Sequence, residues 1–194
     1  MEVWMKNKTK IAVFASGNGS NFQAIADAIK LGELEAELVL VVTDKPQAYV
    51  LERAAKAGVE SLAFTPSDYG SKELYEEMLK EKLLERGIEW IVLAGFMRLI
   101  GPVLLEAFSH RIVNIHPSVL PDFPGKDAIG QTMEAQSEFA GVTVHYVDAG
   151  MDTGTIISQK SFPVNDRSRE QVEQQIHKIE HQLYPATLQQ LFNR

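Results

Sequence analysis

Residues 13–25 read VFASGNGSNFQAI. The apolar run ending at Ala15 gives way to Ser-Gly-Asn-Gly-Ser, and apolar residues return with helical spacing at Phe22, Ile25 and Ala26. Strand, turn of small residues, helix is the unit from which parallel sheets are wound. Glycine at 17 and 19 allows backbone angles other residues avoid and leaves no side chain in front of the main-chain NH groups. The helix that follows adds unpaired NH groups and the positive end of its dipole, so the turn suits a phosphate or carboxylate. A plain tight turn with a capped helix would use the same residues, and the string alone leaves both readings open.

Outward from that turn, strand and helix alternate. Lys10 to Ala15 is the β-rich run that feeds it, Asn21 to Lys30 an amphipathic helix stopped by Gly32, and Glu37 to Thr43 a run in which Leu38, Val39, Leu40, Val41 and Val42 follow one another. Strands without polar alternation belong where both sheet faces are covered. The pattern predicts a helix from about Ala48 to Ala57 ended by Gly58, then a brief strand from Ser61 to Phe64. Between Ser71 and Arg86, Leu74, Tyr75, Met78, Leu79 and Leu83 recur at helical intervals, with Ser71 as N-cap and Gly87 as stop. IEWIVLAG (88–95), a short helix from Pro102 and RIVNIH (111–116) continue the series. After them come two β-rich stretches, GVTVHYVDAG (141–150) and GTIISQKSFPV (154–164), and a long helix from about Arg169.

The expected fold class is therefore α/β: a doubly wound, Rossmann-like, mostly parallel sheet with helices on both faces and a β-rich C-terminal half closed by a long helix. Ligands are expected at the carboxyl ends of the strands. No repeat, low-complexity tract or flexible linker divides the chain, so residues 1–194 are expected to form a single domain with a polar extension at residues 1–9.

The 194 residues suffice for a buried core, and 45% apolar with 23% charged residues is an ordinary globular composition. A formal charge of -7 speaks against a nucleic-acid surface, which draws affinity from Lys and Arg. There is no cysteine, which excludes disulfides, thiolate zinc sites and a cysteine nucleophile and fits a reducing compartment. The opening MEVWMKNKTK lacks the apolar core of a signal peptide, and no run approaches a membrane span. A cytoplasmic protein acting on small molecules is expected, with neither nucleic acid nor membrane as partner; monomer and homodimer both stay open.

Three strand ends carry chemistry: SGNGSN after the first, AGFMRLI after the fourth and NIHPSVLPDFPG after the fifth. The first falls short of a dinucleotide fingerprint, although Asp44 ends the next strand, because Phe22 stands where the third glycine should be and would hold the helix off the sheet. The Gly-Lys-Ser/Thr ending of a Walker loop is missing too. In the third, Asn114 and His116 are two apart in an extended strand and project from one face. An amide donor beside an imidazole can hold a carbonyl oxygen as it becomes negative, and His is suited to moving protons at neutral pH, so the pair points to acyl-type chemistry. Asn and His at a strand end can also merely satisfy backbone groups. Prolines 117, 121 and 124 stiffen the loop that follows.

Asp148 and Asp152 flank the next turn, and spacing does not decide which of them reaches His116. His177-Lys-Ile-Glu180-His181 matches an inverted zinc-peptidase string, but without an identifiable second carboxylate it reads as a decoy. His110 is expected as a cation near a helix C-terminus, and His145, opposite the valines of VTVHYV, as a strand-face residue rather than a ligand.

SGNGSNFQAI, AGFMRL, NIHPSVLPDFPG, GVTVHYVDAGMDTG and the late EHQLYP occur in the order, and at nearly the spacing, of the phosphoribosylglycinamide formyltransferase family, which the chain resembles over almost its whole length after the first ten residues. The resemblance implies formyl transfer from 10-formyltetrahydrofolate, as co-substrate, to the amine of glycinamide ribonucleotide (GAR), with no metal. It assigns catalysis to Asn114, a protonated His116 and Asp152 rather than Asp148. It gives the ribonucleotide to Gly19, Ser20, Asn21 and Glu180, and the folate to Phe96, Met97, Arg98 and Leu99, with Asp148, Ala149 and Gly150 on the closing loop. Many relatives carry a second His after FPG; here Asp127 occupies that position. The same core resembles other formyl-group enzymes. Methionyl-tRNA formyltransferase would require a further carboxyl-terminal RNA-binding domain, and formyltetrahydrofolate deformylase, the nearer alternative, an amino-terminal regulatory one.

Overall fold

The computed structural model describes residues 8–193, so most of the polar extension lies outside the described residues. The chain runs β1 (Thr9–Phe14), α1 (Ser20–Leu31), β2 (Ala36–Thr43), α2 (Val50–Ala57), β3 (Glu60–Ala63), a 3-10 turn (Pro66–Asp68), α3 (Lys72–Glu85), β4 (Trp90–Leu93), α4 (Pro102–Ala107), β5 (Ile112–His116), α5 (Ala128–Glu134), β6 (Phe139–Tyr146), β7 (Ile156–Pro163) and α6 (Arg169–Phe192). Ser71 caps α3 as expected, its hydroxyl accepting from Leu74 N–H at 3.3 Å. Ser168 and Gln171 close a reciprocal capping box at the start of α6. The helix expected from Ala48 begins at Val50, because Ala48 N–H is taken by Lys45 O in the preceding turn. Helix α5 was not anticipated: its apolar periodicity is weak, and it starts where the Asp127 carboxylate accepts from Gly130 N–H at 3.2 Å.

The strands form one sheet in the order β3-β2-β1-β4-β5-β6-β7. Neighbours from β3 through β5 are parallel, while β6 and β7 are antiparallel, which is the change of rhythm seen in the sequence. From β1 the chain winds outward to β3, then returns to place β4 on the other side of β1. The carboxyl ends of β1 and β4 thus flank a switch point, where the connections diverge and leave a crevice.

Side-chain alternation sends the apolar residues of each strand to two cores. Val13, Val41, Val92, Val113, Val142 and Val144 pack with α1, α2 and α6, and Phe22, with no exposed surface, fills the gap between α1 and the sheet. Ala12, Phe14, Leu40, Ile91 and Ile112 pack on the other face with α3 and α4. Among the described residues no helix is long and apolar enough to cross a membrane.

Tyr184, fully buried on α6, ties one core to the floor of the crevice: its hydroxyl lies 2.7 Å from Leu93 O, at the end of β4, and 3.2 Å from Val113 O on the adjacent β5. Burial raises the phenol's pKa well above its usual value, so the hydroxyl stays a donor. Tyr184→Phe keeps the packing but removes the buried hydroxyl's hydrogen bond, and should lower unfolding free energy by about 1–2 kcal/mol in urea titration.

Candidate active site

On β5, Val113 and Ile115 belong to the α1/α6 core, so Asn114 and His116 share the opposite face with Ile112. The antiparallel partner β6 sets Asn114 directly opposite His145 and His116 opposite Thr143. The turn between β6 and β7 then brings Asp152 across. Asp152 Oδ2 lies 3.4 Å from His116 Nδ1, and Oδ1 3.5 Å from Asn114 Nδ2 and 3.6 Å from His145 Nε2. The structure decides between the two aspartates: Asp148 is occupied within its own loop, accepting from Gly150 N–H at 3.0 Å and Thr153 Oγ at 2.7 Å.

Burial alone would raise the pKa of Asp152. Its contact with the His145 ring, the Gly125 N–H at 2.7 Å and the nearby His116 outweigh that and lower it below the ordinary carboxylate value. Asp152 has φ 56°, a left-handed conformation that Asp tolerates better than most residues and that recurs at functional sites. Two residues on, Gly154 passes so close to Tyr146 O that a Cβ there would overlap it, so the turn needs glycine.

His116 Nε2 donates to Phe123 O at 2.9 Å, which leaves Nδ1 for Asp152. The proline-rich loop carrying Phe123 is itself pinned. Thr143 Oγ donates to Ser118 O at 2.7 Å and accepts from Leu120 N–H at 3.1 Å and Gln159 Nε2 at 2.8 Å, while Ser118 Oγ donates to Asp122 O at 2.6 Å. A buried hydroxyl with donor and acceptors all satisfied fixes a loop well.

His145 is a correction to the sequence reading. Its ring is 2% exposed, Nδ1 donates to Tyr146 O at 2.8 Å, and Nε2 faces Asn114 Nδ2 at 3.2 Å. It is part of the cluster. The alternation of VTVHYV correctly put it opposite the valines; what the string lacked was the register that sets this face against Asn114.

A cavity of about 510 Å³ opens on the cluster. Of the expected folate residues, Phe96, Met97, Arg98, Leu99, Asp148 and Gly150 line it, and Ala149 does not. Phe96 also packs edge-on against Phe14, with ring centroids 5.3 Å apart. Met97 and Leu99 are exposed apolar side chains at its rim. Asp127 lines the cavity as well, yet its carboxylate is spent on capping α5 and on Arg169 Nη2 at 2.6 Å.

Gly19, Ser20, Asn21 and Glu180 do not line this cavity. Gly19, with φ 77°, is the N-cap of α1, and a Cβ there would lie 2.6 Å from Val50 Cγ2, so both its conformation and its closeness to α2 require glycine. Arg53 braces this turn from α2, its Nε and Nη2 each 2.8 Å from Asn18 oxygens. Asn21 Oδ1 and His181 Nε2 are buried without a hydrogen-bond partner among the described residues. Ser20 and His181 line a second cavity of about 570 Å³ between α1 and α6. Glu180 is buried on α6, its Oε2 2.9 Å from His177 Nδ1, a contact that raises the His177 pKa. Among the described residues no cluster of three or more His, Asp or Glu could hold a metal ion. His110, at φ 57°, follows the end of α4.

Residues 9–188 match the formyl transferase family. The phosphoribosylglycinamide formyltransferase of Bacillus subtilis (strain 168) is 51% identical over 183 residues, 94% of this chain and 94% of that protein. The trifunctional purine biosynthetic protein adenosine-3 of Drosophila melanogaster is 40% identical over 191 residues, which is 97% of this chain and 14% of that longer protein. Among solved structures, glycinamide ribonucleotide transformylase 1 from Geobacillus kaustophilus superposes with a TM-score of 0.93 at 53% identity, covering 96% of this chain and 100% of that one. Its namesake from Symbiobacterium toebii gives 0.96 at 38% identity, covering 100% and 92%. With the family model matched over most of its length and close relatives covered almost end to end, the chain belongs to the formyl transferase family and, within it, groups with the phosphoribosylglycinamide formyltransferases.

Proposed function

We propose that this chain is a phosphoribosylglycinamide formyltransferase of de novo purine biosynthesis, moving the formyl group of 10-formyltetrahydrofolate, the family's co-substrate, to the amine of GAR. The observation that carries the reading is the convergence of Asn114, His116 and Asp152 at one end of a cavity with apolar walls, on a chain whose relatives bear that name. A chain without cysteine suits the reducing cytoplasm in which we place the enzyme.

The amine nitrogen of GAR attacks the formyl carbon, and the carbonyl electron pair moves onto oxygen to give a tetrahedral intermediate. Asn114 Nδ2 donates to that oxyanion, a preorganised donor of a kind worth about 3 kcal/mol in the transition state, and the imidazolium form of His116, its two ring nitrogens engaged by Phe123 O and Asp152, stabilises it by its charge. Asp152 supports the positive ring and relays the amine proton toward N10 of the folate, through water. The carbon–N10 bond then breaks, releasing tetrahydrofolate and formyl-GAR. The ribonucleotide phosphate is assigned to the turn at Gly19, Ser20 and Asn21, where the start of α1 offers NH groups and Asn21 keeps unused hydrogen-bonding capacity. Glu180 is assigned to the ribose hydroxyls. Phe96, Met97, Arg98 and Leu99 receive the pterin, and the turn at Asp148, Ala149 and Gly150 closes over it.

Formation of tetrahydrofolate followed by absorbance, with GAR present or omitted, tests the reaction: turnover only with GAR is expected, and equal turnover without it would identify a deformylase. His116→Ala should lower kcat by about 10²–10³ while the KM for GAR stays within about twofold, since the interaction it removes develops in the transition state. Glu180→Ala should act the other way, raising the KM for GAR with a smaller effect on kcat; an unchanged KM removes Glu180 from the site. Because folding lowers the Asp152 pKa, its stabilisation is complete above the unfolded-state value of about 3.9 and is lost as pH falls through the lower folded value. Asp152→Asn should therefore flatten the acid side of a stability profile measured by denaturant titration between about pH 2 and 6, and a profile as steep as the parent's would contradict the assigned ionisation.

A further inference from the structure

Asp44 follows the last residue of β2 and is 6% exposed, yet it lines neither cavity. Both its oxygens are engaged. Oδ1 accepts from Ser16 Oγ at 2.5 Å and Oδ2 from Arg98 Nε at 2.8 Å. Ser16, just past β1 and 3% exposed, accepts in turn from Met97 N–H at 2.9 Å, and its own N–H donates to Gly95 O at 3.0 Å. A single chain of hydrogen bonds therefore joins the ends of β1, β2 and β4 at the switch point of the sheet.

The donor directions restrict which side chain can stand at 44. Met97 N–H and the Arg98 guanidinium can only donate, so the Ser16 proton must go to Asp44, whose carboxylate must accept from both sides. A carboxamide accepts from Arg98 only by turning its NH2 toward Ser16. The hydroxyl then receives two N–H groups, its own proton loses its acceptor, and Arg98 exchanges a charge-assisted partner for a neutral one.

We propose that Ser16 and Asp44 are positioning residues that set the Met97–Arg98 turn for the folate co-substrate, an inference that rests on the function proposed above. Neither residue lines the cavity, whereas Met97 and Arg98 do, so the pair acts through them. Ser16 also leads directly into the ribonucleotide turn, where Gly17 O accepts from Val50 N–H at 3.1 Å, and the brace gives the two substrate-binding turns a common anchor. Its hydrogen bonds reach the folate turn itself, but only the root of the ribonucleotide turn, so its loss should fall on folate affinity.

The test compares the parent chain with Asp44→Asn and Ser16→Ala by calorimetric titration with a carba analogue of 10-formyltetrahydrofolate in which carbon replaces N10. Thermal midpoints and steady-state constants for both substrates are measured alongside. Asp44→Asn should weaken analogue binding and raise the folate KM about tenfold, with the KM for GAR within about twofold and kcat within about threefold; Ser16→Ala should shift the same constants in the same direction by less. Unchanged analogue affinity in folded variants would overturn the proposal, as would a uniform loss of both affinities and kcat in step with the melting point. If Asp44→Asn does not fold, Ser16→Ala decides. A parent chain that binds the analogue but transfers no formyl group to GAR counts against the proposed reaction, and the titrations still decide the brace.

Discussion

The carboxylate of Asp152 is the point at which the site is assembled. It comes from the β6–β7 turn, takes the Gly125 N–H from the loop after β5, and faces two imidazoles and an amide. A carboxylate withdrawn from water is costly unless hydrogen bonds and positive charge replace its hydration. Gly125, His116 and His145 supply that replacement, so the contacts that lower the Asp152 pKa also determine where the turn sits against β5. Position and ionisation of this residue are one property, because moving the turn away would remove the groups that favour the charge.

The sheet makes such convergence possible without long flexible connections. Alternation along β5 and β6 puts Asn114, His116, Thr143 and His145 on one face while the intervening valines and isoleucine anchor in the α1/α6 core. Thr143 is spent on holding the proline loop, and the loop supplies the carbonyl that engages His116 Nε2. Rings and amide are thus held by groups of the protein itself. A catalytic arrangement held this way needs little reorganisation when charge develops on substrate, which is the physical basis of oxyanion stabilisation.

Much of this was legible in the sequence where one strand or one helix end carried the signal. The unbroken apolar run at 38–42 implied a sheet covered on both faces, and Asn114 and His116 were placed together by a spacing of two. What escaped depends on pairing between distant segments. His145 joins the cluster only through antiparallel register with β5. Asp44 looked like the acid of a failed dinucleotide fingerprint, whereas its partners are Ser16 and Arg98, 28 residues before and 54 after it. Helix α5 was missed for a local reason: its start depends on a side-chain cap at Asp127 in a left-handed conformation, with little hydrophobic periodicity behind it. The assignment of catalysis to Asp152 over Asp148 rests on family resemblance; the fold places Asp152 beside His116, while Asp148 bonds within its own loop.

Asp127 bears most directly on how the chemistry is divided among these residues. The family resemblance implies a histidine at this position in many relatives, and here the acid caps α5 and pairs with Arg169 on α6. Both partners are more than half exposed, so the pair is screened by water and serves as a surface tie rather than an electrostatic element of the site. A carboxylate already committed to a helix N-terminus and a guanidinium cannot replace an imidazole as a donor to a developing oxyanion. In the proposed mechanism the donor is Asn114 Nδ2, with His116 contributing the charge of a ring held by Phe123 O and Asp152, and His145 is the other imidazole within reach of Asp152. That ring comes from β6, so the cluster keeps two imidazoles around one carboxylate although the loop after β5 provides only an acid.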